Sequence, residues 1–246
     1  MSASRRRFIR MAGAAAAGAV AGGALGCAAR GTPGRRWAMV IDPLKCARLD
    51  GCRACIDACH RAHNVPAIPD RRHEVKWIWK EPFERAFAVQ EPGTTAAALR
   101  GLDVLVFCNH CDNPPCVRVC PADATFKKDD GVVTIDEHRC IGCRYCVAAC
   151  PYGSRSFNWT DPRPYLASVN PAFPTRTRGV VEKCNLCEER LARGQAPACV
   201  DGCPEQALVF GDLRDPGSVV RRLLDARYAI RRRPELGTRP QVFYLV

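Results

Sequence analysis

The sequence predicts an α+β fold made of two nested, duplicated cysteine-bearing units with loop-rich insertions. Three observations predict it. Sixteen of the seventeen cysteines in the 246-residue chain fall into four sets of four. Each set ends in the spacing C-x3-C, and three of the four are followed directly by proline. Short stretches also repeat. Met39-Val40-Ile41-Asp42 precedes Cys46 at the offset by which Val133-Thr134-Ile135-Asp136 precedes Cys140, and the five residues from Cys120 to Ala124 are echoed from Cys203 to Ala207.

The cysteine sets carry the chemistry. Cys140, Cys143, Cys146 and Cys150 with Pro151 form the run C-x2-C-x2-C-x3-C-P of bacterial ferredoxins, in which three close thiolates grip one iron–sulfur cube and the fourth serves its neighbour. Three variants accompany it: Cys108, Cys111, Cys116 and Cys120 (gaps 2, 4, 3), Cys184, Cys187, Cys199 and Cys203 (2, 11, 3), and Cys46, Cys52, Cys55 and Cys59 (5, 2, 3). A short loop wraps successive thiolates around one cube, whereas a cysteine four positions on points off the first turn of a helix. Proline suits the next position because its φ is helix-like and its missing N–H is not needed there. Gly51 and Gly142, each directly before a cysteine, let the backbone approach inorganic sulfide. Closed zinc sites take local ligands and need no crossing Cys-Pro, so four clusters are expected in place of zinc or disulfides.

The segments follow in order. Residues 1–29 read as a twin-arginine export signal: Arg5-Arg6-Arg7-Phe8 leads into an Ala- and Gly-rich stretch too short and weakly apolar to span a bilayer. Ala24-Leu25-Gly26-Cys27 loosely resembles a lipoprotein box that would place a lipid on Cys27. Cleavage after Ala28 or Ala29, leaving an unmodified cysteine, is the favoured expectation. Residues 36–63 with 180–213 form a split outer unit, and 102–159 form a complete unit nested within it. In the nested unit, Thr125 and Phe126, then Asp129-Asp130-Gly131, then Val132 to Ile135 give a strand, turn, strand pattern. Residues 64–101 are an insertion whose Trp77-Ile78-Trp79, Phe83 and Phe87 suit local packing, although their place outside the repeat makes them a partner-contact candidate. A proline-rich connection occupies 160–179. In 214–246 a short helix from Ser218 to Arg227, with Val219, Val220, Leu223 and Leu224 on one face, precedes a final strand, and Arg231-Arg232-Arg233 reads as a solvated charge run.

Charge excludes one class. The formal excess is +12, but removing residues 1–26 takes away four arginines and no acid, leaving 33 basic against 25 acidic residues. Four oxidised cubes with their thiolates add about eight negative charges, so the loaded protein is close to neutral. With no nucleic-acid module in the sequence, nucleic-acid binding is not expected. The five histidines form no catalytic constellation, and Cys59-His60 follows C-x3-C, which is not a haem attachment box.

These motifs, with Phe107-Cys108-Asn109-His110-Cys111 through Cys120-Pro121 and Arg139-Cys140 through Pro151-Tyr152, resemble the four-cluster electron-transfer subunits that partner NrfD-type membrane proteins and molybdenum reductases. Within that family, residues 51–66, 156–165, 173–185 and 234–244 are most similar to the DsrO subunits of DsrMKJOP membrane complexes of dissimilatory sulfur metabolism. The resemblance implies a non-catalytic relay on the extracytoplasmic face, peripheral to the membrane. Its implied partners are an NrfD-type integral quinone-interacting subunit and a multihaem cytochrome c. An alternative is the iron–sulfur subunit of a periplasmic molybdoenzyme such as tetrathionate or polysulfide reductase. The ferredoxin wiring implies four ligand sets: Cys46, Cys52, Cys55 with Cys203; Cys184, Cys187, Cys199 with Cys59; Cys108, Cys111, Cys116 with Cys150; and Cys140, Cys143, Cys146 with Cys120. No other residue type replaces a ligand, so four [4Fe-4S] clusters are implied. The wide gap before Cys52 and His60 in place of proline depart from the family pattern and bear on the cluster that uses Cys46.

Overall fold

The computed structural model describes residues 34–88 and 94–246. The twin-arginine segment and Cys27 lie outside the described residues. The strands are short: β1 Trp37–Ile41, β2 Ile78–Pro82, β3 Asp103–Phe107, β4 Thr125–Lys127, β5 Val133–Ile135, β6 Ser156–Phe157, β7 Val181–Glu182, β8 Leu208–Asp212, β9 Ala229–Ile230 and β10 Val242–Leu245. Among the described residues they form one four-stranded sheet in the order β8-β1-β10-β9 and three two-stranded ribbons, β2-β3, β4-β5 and β6-β7. Small helices lie between them, and the cysteines are shared between these helices and the adjoining loops; helices and sheets together make a mixed α+β chain.

The β4-β5 ribbon is the hairpin that the sequence predicts, with Thr125 opposite Ile135 and Phe126 opposite Thr134. Gly131 closes its turn at φ +86°, a conformation open to glycine at no steric cost. β1 and β8 pair antiparallel with Ile41 opposite Leu208, so Asp42 follows its strand as Asp136 follows β5. β10 then adds to the other edge of β1 in parallel, Met39 beside Val242. Every residue of β10 is buried, as continuous apolar strands between neighbours should be.

The 64–101 stretch is fastened to its surroundings. β2 lies antiparallel on β3, with Trp79 opposite Val106. Trp77 and Ile78 are buried and Trp79 half-buried, so the partner-contact expectation for this segment gives way to packing. The reason is polar as well as apolar, because Trp77 Nε1 donates to Glu182 Oε2 at 2.8 Å from inside the protein. Two details of the C-terminal reading also change. The helix Val219–Ala226 is capped by Ser218, whose hydroxyl accepts from the Arg221 amide at 3.1 Å, but Val219 faces solvent and Val220 alone on that helix is fully buried. Arg232 is no solvated charge: it is buried and donates to the Ala86 carbonyl at 3.2 Å.

Candidate metal centres

Local geometry presents the thiols. Cys46 ends the helix Pro43–Cys46, whose N-cap Asp42 accepts from the Lys45 amide at 3.1 Å. Cys55 and Cys59 ride the helix Ala54–Ala62 four residues apart, on one face. Leu186 and Cys187 are both left-handed, at φ +60° and +53°, which turns successive amides inward. The Leu186 amide donates to Cys184 Sγ at 3.4 Å, the Ala198 amide to Cys187 Sγ at 3.3 Å and the Ala207 amide to Cys203 Sγ at 3.3 Å. Gly142 has φ +70°, and a Cβ there would lie 2.4 Å from the Gly179 carbonyl. Glycine before Cys143 is thus required by the chain's own backbone.

Electrostatics shows which thiols are neighbours. Burial pushes Cys55 up to about 12, and Cys46, Cys203 and Cys52 add to the rise. Burial raises Cys59 well above its ordinary value, reinforced by Cys184, Cys199 and Cys187. Cys111 is pushed up to about 12 by burial, then by Cys108, Cys116 and Cys150. Cys108, Cys111, Cys116 and Cys150 also line one pocket. Burial raises Cys146, with Arg155 opposing and Cys116 and Cys140 adding. Cys116 and Cys146 lie on the short helices Pro115–Arg118 and Tyr145–Ala148, and Cys120 and Cys143 are half-buried in the loops beside them.

Charge interactions also run between groups: Cys55 acts on Cys59 and Cys199, Cys108 acts on Cys184, and Cys116 acts on Cys146.

This donor set fits iron–sulfur clusters. All sixteen described cysteines are free thiols, and buried together as bare anions they would repel one another. A bound metal centre supplies the positive charge that lets such thiols ionise. Buried polar atoms with no hydrogen-bond partner among the described residues crowd the same places: Asn109 Nδ2 and Oδ1, His110 Nε2 and Arg155 Nη1. Sulfur at the cavity would satisfy the donors among them.

Several residues beside the thiols were not singled out by the sequence. Arg155 Nη2 donates to Cys116 Sγ at 3.0 Å. Lys183 is buried, with Nζ hydrogen-bonded to the Val133 carbonyl and, at 2.8 Å, to that of Cys184. His63 lies 3.6 Å from Cys59 Sγ through Nδ1, reaches Glu189 Oε1 at 3.0 Å through Nε2, and stacks on Trp77. One donor atom each of His63, Cys187 and Glu189 falls within 4.8 Å of the others, but Cys187 already belongs to a thiol group, so the pair reads as its polar surround. Behind it, Arg176 and Glu182 form a fully buried ion pair at 2.8 Å, and Asn158 Nδ2 donates to Glu182 Oε1 at 2.6 Å. Lys183 precedes Cys184 directly, a signal that was available; Arg155 and His63 stand in no spacing that marks them.

The model of a 4Fe-4S dicluster domain matches residues 104–163 and again 164–213. The first match contains the eight cysteines from Cys108 to Cys150. The chain is 38% identical to Hdr-like menaquinol oxidoreductase iron-sulfur subunit 1 of Archaeoglobus fulgidus, over 98% of this chain and 97% of the relative. It is 37% identical to the menaquinone reductase iron-sulfur cluster-binding subunit of Nitratidesulfovibrio vulgaris, over 85% and 88%. It is 38% identical to a subunit of the tetrathionate reductase of Salmonella typhimurium, over 87% and 74%.

Proposed function

Because the chain belongs to the family of 4Fe-4S dicluster iron–sulfur subunits of oxidoreductase complexes, we propose that it is the DsrO-type relay of a membrane-bound respiratory complex of dissimilatory sulfur metabolism. It is an electron-transfer subunit carrying four [4Fe-4S] clusters, not a catalytic subunit. Bound to their thiolates, such clusters supply one-electron storage and transfer.

The observation that carries the relay is the row of neighbouring cysteines. Cys46, Cys52, Cys55 and Cys203 form the first ligand set, joined through Cys55 to Cys59, Cys184, Cys187 and Cys199. The charge of Cys108, which belongs with Cys111, Cys116 and Cys150, acts on Cys184. Cys116 acts on Cys146, which neighbours Cys140; Cys143 and Cys120 complete that set by the ferredoxin wiring. Cys55 and Cys59 are four residues apart on one helix and Cys116 and Cys146 lie on two facing short helices, whereas Cys184 and Cys108 are both in loops; this arrangement supports the proposed order. Two ends remain, at Cys46 and Cys52 and at Cys120, Cys140 and Cys143, all only half-buried. The matching registers of β1 on β8 and β4 on β5 support the reading of a split unit, 36–63 with 180–213, around a nested one at 102–159.

The relay stands on the extracytoplasmic face, delivered by the twin-arginine signal and held beside an NrfD-type quinone-interacting subunit and a multihaem cytochrome c. Among the described residues no helix is long and apolar enough to cross a membrane, which suits a peripheral place. The match to the Archaeoglobus protein runs nearly end to end in both chains, which favours quinone-linked assembly. The likeness to the tetrathionate reductase of Salmonella typhimurium favours the second reading, a periplasmic molybdoenzyme.

Anaerobically prepared protein should hold about sixteen iron and sixteen sulfide per chain. Half that content after full reconstitution overturns the four-cluster relay. Isolation of the native complex decides between the readings: haem c without molybdenum supports the first, and a molybdenum subunit supports the second.

A further inference from the structure

Arg155 lies between Cys150-Pro151 and β6, and its side chain turns inward to 4% exposure. Nη2 donates to Cys116 Sγ at 3.0 Å and to Thr125 Oγ1 at 2.7 Å. Thr125 Oγ1 in turn donates to the Thr134 carbonyl at 2.8 Å, which fixes the hydroxyl on the β4-β5 hairpin. Nη1 is buried without a partner among the described residues. The thiols that act on this guanidinium are Cys116, Cys146 and Cys108, drawn from two neighbouring ligand sets. Arg155 also lines the cavity shared by Cys108, Cys111, Cys116 and Cys150.

The surroundings add donors on the same side. His110 Nδ1 accepts from the Val133 amide at 3.1 Å, so the ring proton sits on Nε2, a buried donor with no partner among the described residues. The junction of Cys55 with Cys59 and Cys199 differs. The charges that act most on those three thiols are those of other cysteines.

Reduction adds one negative charge to a site in low dielectric, and a fixed cation 3.0 Å from a ligand sulfur stabilises that reduced state more than the oxidised one. We propose that Arg155 sets the potential of the site built on Cys108, Cys111, Cys116 and Cys150, making it the most readily reduced of the four. The unpartnered Nη1 and the Nε2 of His110 add hydrogen-bond donors at that site, whereas at the Cys55–Cys59 junction the side-chain partner is His63, whose Nδ1 lies at the longer distance of 3.6 Å from Cys59 Sγ. The proposal rests on the four-cluster reading with Cys116 and Cys150 in one ligand set.

The test is an EPR-monitored redox titration of anaerobically purified full-length protein, with iron and sulfide counted on every sample. Wild-type protein short of sixteen iron fails the four-cluster reading itself, independently of Arg155. With the count intact, Arg155→Gln should lower the highest of the four midpoint potentials by at least about tenfold in the reduction equilibrium constant, which is about 59 mV for one electron. Arg155→Lys, which keeps the charge, should restore most of that shift. An unchanged highest potential in Arg155→Gln, or an equal fall in Arg155→Lys, overturns the proposal. If Arg155→Gln fails to hold iron, Thr125→Val decides: it keeps the charge and removes the hydroxyl that fixes it. A smaller fall in the same potential supports the assignment, and no fall overturns it.

Discussion

The thiols of Cys59, Cys184, Cys187 and Cys199 and those of Cys120, Cys140, Cys143 and Cys146 share the C-x2-C start and C-x3-C end of their runs, yet they meet opposite surroundings. In the first group Cys59, Cys187 and Cys199 are buried; in the second only Cys146 is. Ile141 and Tyr145, beside the second group, are 69% and 62% exposed. The first group is roofed by His63 stacked on Trp77, with Phe173 edge-on to both and the Arg176–Glu182 pair behind. Trp77 comes from the insertion and Phe173 and Arg176 from the proline-rich connection, where no repeat exists, while His63 and Glu182 flank them from the outer cysteine-bearing stretches. Cysteine spacing alone therefore does not set solvent access, which depends in part on segments that carry no cysteine. Since exposure is one of the levers on cluster potential, two ligand groups of like spacing become electrochemically distinct sites.

The sharpest way to break this contrast is to remove the roof. Glu182→Ala leaves Arg176 charged, buried and without its carboxylate, and strips a partner from Trp77 and Asn158. Breaking such a pair costs about 3–5 kcal/mol. A large fall in the urea midpoint should follow, and chelators should then strip iron from the Cys59 group as readily as from the Cys140 group. Retained protection of the Cys59 group in a folded variant would place the barrier elsewhere.

A smaller effect separates two glycines that precede cysteines. Alanine in the left-handed region costs about 1–2 kcal/mol at either position. At Gly51, φ +64°, a Cβ meets nothing within 4 Å, whereas at Gly142 it meets the Gly179 carbonyl at 2.4 Å. Gly142→Ala should cost more thermal stability and disturb the EPR signal of the Cys140 group, while Gly51→Ala should leave four clusters in place. Equal losses would mean that backbone strain alone governs both.

The smallest effect is one of pH. Burial raises the Glu137 carboxyl to about 7, Arg176 opposing and Glu182 adding to the rise. The folded state thus binds a proton more tightly than the unfolded state. Its contribution to stability is full below the ordinary carboxyl value near 4.5 and is lost as pH climbs to about 7. Stability measured across that window should decline with rising pH, and Glu137→Gln should flatten the decline without changing cluster content.

Much of this was legible because it is local. The cysteine runs, the Asp129-Asp130-Gly131 turn, the Ser218 cap and the apolar strand at 242–245 each announce themselves within a few residues. The polar shell was not legible, because its partners are far apart: Arg155 and Cys116 are separated by 39 positions, His63 and Glu189 by 126. The aromatic run at Trp77 showed that something would be covered by it without showing what. An indole N–H needs a buried acceptor, and Glu182 lies 105 positions away. Arg232 misled for a similar reason, since three consecutive arginines look alike in sequence, yet Arg232 is buried while Arg231 and Arg233 are half-buried.

The central sheet also imposes a timetable. β1 leaves the ribosome early, but both of its neighbours, β8 and β10, are among the late-made parts of the chain. Until residues 208–245 exist, the strand beside Cys46 has open hydrogen-bonding edges and an apolar face with nothing on it. The hairpin of β4 and β5, by contrast, can close as soon as its own short stretch is made. Synthesis therefore passes through a stage in which the β4-β5 hairpin has closed while β1 still waits for its neighbours, and any factor that delivers iron to the nascent chain meets the cysteines beside that hairpin in a more ordered setting than Cys46.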